Sequence, residues 1–301
     1  MRAQGTHSSR SDGMTSGVPI SVVIPAHNEE DVIERCLTAL APTSAPEDLQ
    51  VVVVCNGCDD RTAARARTFD VQVVETPTAS KTAAINLGDA HVSGFPRFYV
   101  DADVVISLAA VRRIAAALEG GPTLAASPTM DLDVRLSSWP VRAYYRLWTR
   151  LPYVREGMIG VGVYALSEAG RARFAEFPNV ISDDGFVRML FAAHERARIE
   201  EASVRVTGPR GISGLIDIKT RSRLGLYQLS MMFPQIATRE RRSKSYRSAL
   251  GGLVLRPWLW PHALVYAAIQ VTTRRRAHRQ LSSLAEYTWQ RDLSSRNERY
   301  P

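Results

Sequence analysis

The sequence predicts an α/β fold in which helices cover both faces of a mostly parallel central sheet. Short apolar, largely β-branched runs at 20–24, 51–54, 71–74 and 97–100 have the composition of fully buried strands. Each of the first three runs is followed by a segment with apolar residues at helical spacing. Strands and helices that alternate in this way form parallel sheets with a helical layer on each side.

The first predicted helix lies between the first two strands. Residues 28–40, NEEDVIERCLTAL, place their apolar side chains on one helical face, and Asn28 is a suitable N-cap. The three acidic residues that follow Asn28 would complement the positive end of the helix dipole. Further helices are predicted at 61–69 and 81–91, which completes the alternation.

Polar residues follow the predicted strands at the points where these end. The segment PAHNE at 25–29 follows the first strand, CNG at 55–57 follows the second, and DAD at 101–103 follows the fourth. Ligands of open α/β sheets bind outside the carboxyl ends of the strands. Acidic residues are rarely buried without a partner, so Asp101 and Asp103 lie either in a solvated turn or beside a cation at the edge of a binding cleft.

Charge is unevenly distributed along the 301 residues, which carry a net charge of +8. Residues 1–204 hold 20 Lys and Arg against 25 Asp and Glu, whereas residues 205–301 hold 18 against 5. A basic C-terminal third is typical of proteins that contact phosphates, nucleic acid or an anionic membrane surface. Composition alone does not rank these partners.

Three cysteines, Cys36, Cys55 and Cys58, are too few and too clustered for the disulfide framework of a secreted domain. Cys55 and Cys58 have the Cys-x-x-Cys spacing of a redox or zinc motif, but no second pair of Cys or His ligands accompanies them. Residues 1–17 are polar, lack the apolar core of a signal peptide and are expected to be disordered. We therefore expect a cytoplasmic protein.

Four motifs, VVIPAHNEEDVIERCL, VVVVCNGCDDRT, KTAAINLG and YVDADV, together resemble the nucleotide-binding half of a glycosyltransferase family 2 enzyme. The resemblance covers about 18–225. It implies a GT-A fold, a Rossmann-like α/β/α sandwich, and transfer of a hexosyl group from a nucleotide-diphosphate donor with inversion. The implied organisation begins with a disordered tail at 1–17 and a nucleotide-sugar-binding half at 18–107. An acceptor-binding and catalytic half follows at 108–225, and a C-terminal helical, basic and apolar, membrane-associated region at 226–301.

The resemblance also implies how the donor is bound. A leaving diphosphate develops negative charge that a divalent cation with oxygen ligands neutralises, so Asp103 is the expected ligand for Mn²⁺ or Mg²⁺. Asp101 would hold the donor ribose or sugar and assist the metal, and Lys81 would lie near the diphosphate. Asn56 stands where many members carry Asp to read the base, which makes UDP the first expectation and GDP the second. The remaining predicted donor-binding residues are Pro25, Ala26, His27, Glu29, Ala102, Arg221 and Arg223, together with Asn28.

The second half of the resemblance concerns the acceptor. Gly160 and Gly162 match a glycine-rich floor of the acceptor site, where the backbone can approach a substrate closely. Asp183 and Asp184 match an acidic pair whose second member is the general base, so Asp184 is predicted to deprotonate the acceptor hydroxyl and Asp183 to support it. Helix capping is an alternative explanation for one of these two acids.

Residues 250–271 form the most apolar segment, and the basic sequence TTRRRAHR follows them. Prolines and Arg256 interrupt the segment, so we expect an amphipathic or re-entrant membrane contact, with a packed core helix or a true span as alternatives. No Gln-x-x-Arg-Trp motif of processive synthases is present, which favours a single sugar addition. The expected acceptor is a carbohydrate or lipid-linked molecule of the cell envelope, and the expected location is the inner face of the membrane.

Two other classes of protein fit parts of the pattern. A sugar nucleotidyltransferase shares the architecture and the metal chemistry, but it has a glycine-rich phosphate loop where this chain has PAHNEE. A catalytically silent nucleic-acid-binding module would use the basic C-terminus and leave the acidic cleft without a role. We therefore expect no nucleic-acid partner, and the sequence does not indicate an oligomeric state.

Overall fold

The computed structural model describes residues 19–40, 47–243 and 256–281. Within these ranges one sheet of seven strands has the order β3-β2-β1-β4-β6-β5-β7. Strands β1 to β4 are mutually parallel where they pair, β6 is antiparallel to both β4 and β5, and β5 pairs parallel with β7. The strands are β1 (Ile20–Ala26), β2 (Leu49–Asn56), β3 (Gln72–Thr76), β4 (Arg97–Val100), β5 (Ala125–Asp133), β6 (Val163–Leu166) and β7 (Arg196–Thr207).

Helices lie on both faces of this sheet, which confirms the predicted α/β architecture. Val22 and Ile24 of β1 pack in the core cluster that contains the first, second and fourth helices, whereas Val23 packs in the cluster of the third and eighth. Alternate side chains are thus buried on opposite faces, as expected for a parallel sheet covered twice. The helices are α1 (Ile33–Leu40), α2 (Thr62–Ala66), α3 (Lys81–Asp89), α4 (Leu108–Leu118), α5 (Trp139–Trp148), α6 (Pro152–Arg155), α7 (Glu168–Arg171), α8 (Asp183–Leu190), α9 (Ile212–Met232), α10 (Pro234–Ser243) and α11 (Trp260–Gln280).

The C-terminal helices pack beside the sheet through a third apolar cluster. Leu215 of α9 and Ile269 of α11 are buried together with residues of α5. Helix α9 runs without a break through Gly225, the residue at which the sequence places a domain boundary. Residues 250–255 of the predicted membrane segment lie outside the described ranges. No helix within those ranges is long and apolar enough to cross a membrane.

Two capping predictions are corrected. Asn28 does not cap α1, because it lies in a left-handed turn with φ of 54° and the helix begins only at Ile33. Ser182 caps α8, since its hydroxyl accepts a hydrogen bond from the Gly185 N–H at 3.2 Å. Neither acidic residue that follows Ser182 is therefore the N-cap. The predicted tail, 1–17, lies outside the described residues.

Candidate active site

A cleft of about 2630 Å³ opens at the carboxyl ends of β1, β2 and β4 and continues towards α5, α9 and α11. Its walls include most of the residues that the sequence singles out. Ala26 and Asn28 are the exceptions: Ala26 is fully buried in the core, and the Asn28 side chain accepts a hydrogen bond from the Asp59 N–H at 2.9 Å. The predicted residues that line the cleft are Pro25, His27, Glu29, Asn56, Lys81, Asp101, Ala102, Asp103, Gly160, Gly162, Asp183, Asp184, Arg221 and Arg223.

Lys81, the first residue of α3, joins two of the predicted carboxylates. Its ammonium lies 2.6 Å from Asp101 Oδ1 and 2.9 Å from Asp183 Oδ1. Burial disfavours the charged ammonium, but the two carboxylates outweigh this cost and raise the pKa of Lys81 above its ordinary value. Lys81 is therefore a permanent cation that ties the end of β4 to the start of α8.

Asp101 lies under the glycine-rich loop that precedes β6. The Asp101 N–H donates to the Gly162 carbonyl at 2.8 Å. Gly162 has a φ of 64°, and a Cβ atom there would lie 2.6 Å from Val104 Cγ2 and 3.2 Å from Asp101 Oδ2. Only glycine allows this approach. Burial raises the pKa of Asp101 although Lys81 lies beside it, and Asp183 and Asp103 add to the increase.

The two adjacent acids of α8 have different surroundings. Asp183 is only 3% exposed, and its second oxygen accepts a hydrogen bond from the Tyr164 hydroxyl at 2.9 Å. Asp184 is half-buried, and its Oδ1 accepts from the Ser182 hydroxyl at 2.6 Å and from the Gly185 N–H at 2.7 Å. Burial, and then the charge of Asp183, raise the pKa of Asp184. A carboxylate with a raised pKa is a stronger base, so Asp184 has the properties of a proton acceptor.

The loop after β1 and the turn after β2 hold each other in place. The Asn56 amide donates to the Ala26 carbonyl at 2.8 Å, and His27 Nδ1 lies 2.6 Å from the Asn56 carbonyl. The Glu29 N–H donates to the Thr62 hydroxyl at 2.7 Å. One amide N–H of Asn56 is thus used to position the loop.

The cysteines of the CNGC turn are free thiols. Cys58 accepts a hydrogen bond from the Asn28 N–H at 3.4 Å and donates to the Ala26 carbonyl at 3.5 Å, which ties this turn to the loop after β1. Burial raises the pKa of Cys55 to about 12. Because the thiolate is the reactive form, this environment disfavours redox chemistry at Cys55.

The residues at the end of β4 fit a metal ion that is shared with a substrate. Within the described ranges, no three His, Cys, Asp or Glu side chains form a metal cluster on their own. Mg²⁺ is typically held by one or two carboxylates together with the oxygens of a substrate phosphate. Asp103 is half-buried and lines the cleft next to Asp101, which supplies this kind of incomplete oxygen site.

Sequence reasoning missed two residues that shape the site. The Tyr164 hydroxyl holds Asp183, and the Tyr164 ring stacks on that of Tyr99 with centroids 5.0 Å apart. Arg188 of α8 is 4% exposed, pairs with Glu156 at 2.7 Å and donates to the Gly157 carbonyl, so it anchors the loop before β6. A charged residue inside the apolar run FVRMLF was the available signal for Arg188.

Comparison with known proteins gives a family match over part of the chain. Residues 21–164 match the family model described as glycosyl transferase family 2. The glycosyltransferase AglE of Haloferax volcanii is 35% identical over 98 residues, which are 30% of this chain and 32% of that protein. Matches to two further curated glycosyltransferases cover 26% and 22% of their lengths. This chain therefore spans at most about a third of the curated relatives that it matches.

Solved structures extend the similarity over more of the fold. The mannosyltransferase PcManGT of Pyrobaculum calidifontis, in complex with GDP-Man and Mn²⁺, is 20% identical with a TM-score of 0.57, and covers 91% of this chain and 82% of its own. Glucosyl-3-phosphoglycerate synthase of Mycobacterium tuberculosis, in complex with Mn²⁺, UDP-Glc and glycerol 3-phosphate, is 21% identical with a TM-score of 0.50. The match covers 71% of this chain and 80% of that one. At these identities the shared property is the fold, which is the predicted GT-A fold.

Proposed function

We propose, on the premise that residues 21–164 match glycosyltransferase family 2, that the chain transfers a sugar from a nucleotide-diphosphate donor to an acceptor hydroxyl. One observation carries the proposal. A single cleft is lined by polar side chains that follow β1 and β2, by Asp101 and Asp103, and by the half-buried carboxylate of Asp184. These are the groups that a displacement at a sugar carbon with a diphosphate leaving group requires.

The proposed reaction is one displacement with inversion. The acceptor oxygen forms a bond to the anomeric carbon from the face opposite the diphosphate, while the bond from that carbon to the phosphate oxygen breaks. Asp184 takes the proton of the acceptor hydroxyl. Asp183, held by the Tyr164 hydroxyl, supports it by fixing the start of α8, and the Ser182 hydroxyl orients Asp184. No covalent intermediate is needed, in contrast to retaining glycoside chemistry, so a single base suffices.

For the donor we propose UDP first and GDP second, with Mn²⁺ or Mg²⁺ on Asp103 and Asp101 in support. A bound cation would neutralise the charge of the departing diphosphate. Lys81, Arg221 and Arg223 line the same cleft and are proposed as further phosphate contacts. The precedent lies in relatives of the same fold, one holding GDP-Man and another UDP-Glc, each with Mn²⁺.

Calorimetric titration of UDP, GDP, CDP and dTDP, each with and without Mn²⁺, tests this donor site. We expect one nucleotide to bind in a metal-dependent way, and Asp103→Ala to abolish the metal dependence. Asp131→Asn is the matched control, because Asp131 also lines the cleft but pairs with Arg205 at 3.1 Å. Failure of all four nucleotides to bind with Mn²⁺ would contradict the proposal.

For the acceptor we propose a single-addition reaction on a carbohydrate or lipid-linked molecule at the inner face of the cell membrane. The support is a group of exposed apolar side chains around the start of α11: Trp258 is 63% exposed, Trp260 55% and Leu264 73%. Tryptophans beside a basic flank are typical of contacts with anionic lipid surfaces.

Co-sedimentation with vesicles that contain anionic phosphatidylglycerol tests the membrane contact. Wild-type protein should pellet with the vesicles, and Trp260→Glu combined with Leu264→Glu should remain in the supernatant. Met231→Glu provides a control, since Met231 is an exposed apolar residue of α9 at 59% exposure. If wild-type protein stays in the supernatant, the membrane contact is wrong while the transferase proposal stands.

A further inference from the structure

A second lysine in the cleft has a very different environment from Lys81. The Lys219 ammonium, on α9, lies 3.9 Å from the centroid of the Trp148 ring, 5.2 Å from that of Tyr145 and 5.6 Å from that of Tyr144. Three rings of α5 thus surround one cation. Among residues 19–40, 47–243 and 256–281, no carboxylate pairs with Lys219.

Within the part of the chain that the structure describes, Lys219 therefore has no counter-ion. Contact with aromatic faces compensates a buried cation only in part, since such a contact contributes about 0.5–2 kcal/mol. Burial lowers the pKa of Lys219 to about 7. An anion that entered the cleft beside Lys219 would restore the missing partner and favour the charged ammonium.

Lys219 lies beside the glycine-rich loop that is proposed as the floor of the acceptor site. A Cβ atom on Gly160 would lie 3.7 Å from the Trp148 ring, so the loop that touches Asp101 through Gly162 touches the Lys219 platform through Gly160. Lys219 and Trp148 line the same cleft as Asp184. The cation and the proposed base therefore face one continuous space, on either side of the glycine-rich loop.

The rim of this part of the cleft carries exposed apolar side chains, together with Arg256 and Arg274. Leu226 of α9 is 43% exposed, and Trp260, Leu264 and Val271 of α11 are 55%, 73% and 45% exposed. All four side chains line the cleft. A ligand that reaches Lys219 from this side passes exposed hydrocarbon before it meets the cation.

We propose that Lys219 and its aromatic platform form an anion subsite that binds a phosphate group of the acceptor. The inference rests on the proposed transferase function and adds the chemical class of its acceptor, an organic phosphate. Two sources share this chemistry: a water-soluble phosphate monoester and the headgroup of a lipid phosphate. Only a lipid phosphate would also occupy the apolar side chains of the rim.

Titration with inorganic phosphate, glycerol 3-phosphate and farnesyl phosphate tests the subsite, using protein saturated with Mn²⁺ and the nucleotide that it binds. The nucleotide fills the donor phosphate site, so further phosphate must bind elsewhere. We expect wild-type protein to bind all three, and Lys219→Met to bind them about tenfold more weakly or worse, because a charge-assisted contact is lost. Tighter binding of glycerol 3-phosphate would identify the soluble source, and tighter binding of farnesyl phosphate the lipid source.

Lys219→Arg is the matched variant, since it keeps the cation and should retain phosphate binding. Equal affinities of wild-type protein and Lys219→Met, or no binding by wild-type protein, would overturn the subsite. The affinity for the nucleotide is measured in the same samples and should not change in Lys219→Met. If no nucleotide binds at all, the transferase proposal fails, yet the comparison of Lys219 variants with phosphate still decides the subsite.

A measurement on wild-type protein covers the case in which Lys219→Met does not fold. At about pH 8.5 phosphate is a dianion and most Lys219 is neutral, so binding should take up a proton, detectable as a dependence of the binding heat on buffer ionisation. The titratable and charged groups around Lys219 are Tyr144 and Tyr145 of α5, Tyr266 of α11, which stacks on Tyr144, and Arg223 one turn along α9. Burial raises the pKa of Tyr144. A phenol and a guanidinium already carry their protons at this pH, so neither can take up another. Binding without proton uptake would contradict the role of Lys219.

Discussion

The two half-buried lysines of the cleft have opposite pKa shifts, because one lies between carboxylates and the other lies against aromatic rings. Lys81 lies between Asp101 and Asp183, and its pKa is raised. Lys219 lies on three aromatic rings without a carboxylate partner among the described residues, and burial lowers its pKa to about 7. The carboxylates around Lys81 thus supply its counter-ions, whereas an anion that bound beside Lys219 would supply the partner that the described residues lack.

Asp184→Asn removes the proposed general base and should have the largest effect on turnover. Loss of a general base lowers turnover by about 10²–10⁴-fold, while asparagine can still accept the hydrogen bonds from Ser182 and Gly185. Donor affinity should therefore stay close to the wild-type value. Steady-state kinetics and nucleotide titration on the same sample give both quantities. Wild-type turnover in Asp184→Asn would show that the base lies elsewhere.

Lys81→Met and Lys219→Met form a matched pair that tests directly whether the two lysines differ in how their charge is paired. Removal of Lys81 leaves two carboxylates facing each other without their cation, which should lower the free energy of unfolding by about 3 kcal/mol. Removal of Lys219 takes away a half-buried ammonium that has no carboxylate partner among the described residues, so stability should stay the same or increase. Urea denaturation of both variants measures the difference. Equal destabilisation would mean that Lys219 is as well paired as Lys81.

The donor end could be predicted from sequence because its residues lie in short contiguous motifs. β1, β2, β3 and β4 were predicted within a few residues, since apolar runs bounded by polar turns identify strands locally. The carboxyl ends of parallel strands meet at one sheet edge, so placing the motifs on strands already brings Asn56 and Asp101 into one cleft.

The surroundings of Lys219 could not be predicted, because they depend on contacts between distant helices. No local pattern shows that Lys219 of α9 would lie over Trp148 of α5, or that α11 would pack against both helices. In the sequence, Lys219 is one more cation in a basic stretch. The same limit applies to Lys81, which was predicted near the diphosphate; its bridge from Asp101 to Asp183 depends on how α8 packs against the sheet.

The pH dependence of turnover is expected to show the smallest effect, but it tests the surroundings of Asp184 specifically. Asp184 must be ionised to accept a proton, and burial together with the charge of Asp183 raises its pKa. Turnover should therefore fall about tenfold per pH unit below a midpoint that lies above the ordinary value for aspartate, about 3.9. A midpoint at or below that value would contradict the environment assigned to Asp184.

Stability should respond to the same group with the opposite sign. The folded pKa of Asp184 lies above its unfolded value, so its contribution to stability is complete below the ordinary range of aspartate and is lost as pH rises through the folded pKa. Asp184→Asn stays neutral throughout and should be more stable than wild-type protein at neutral pH, with the difference shrinking towards pH 4. Melting curves at the two pH values measure it. Since the same ionisation that supplies the base weakens the fold, a variant that gains stability while losing turnover would identify Asp184 as a residue retained for chemistry.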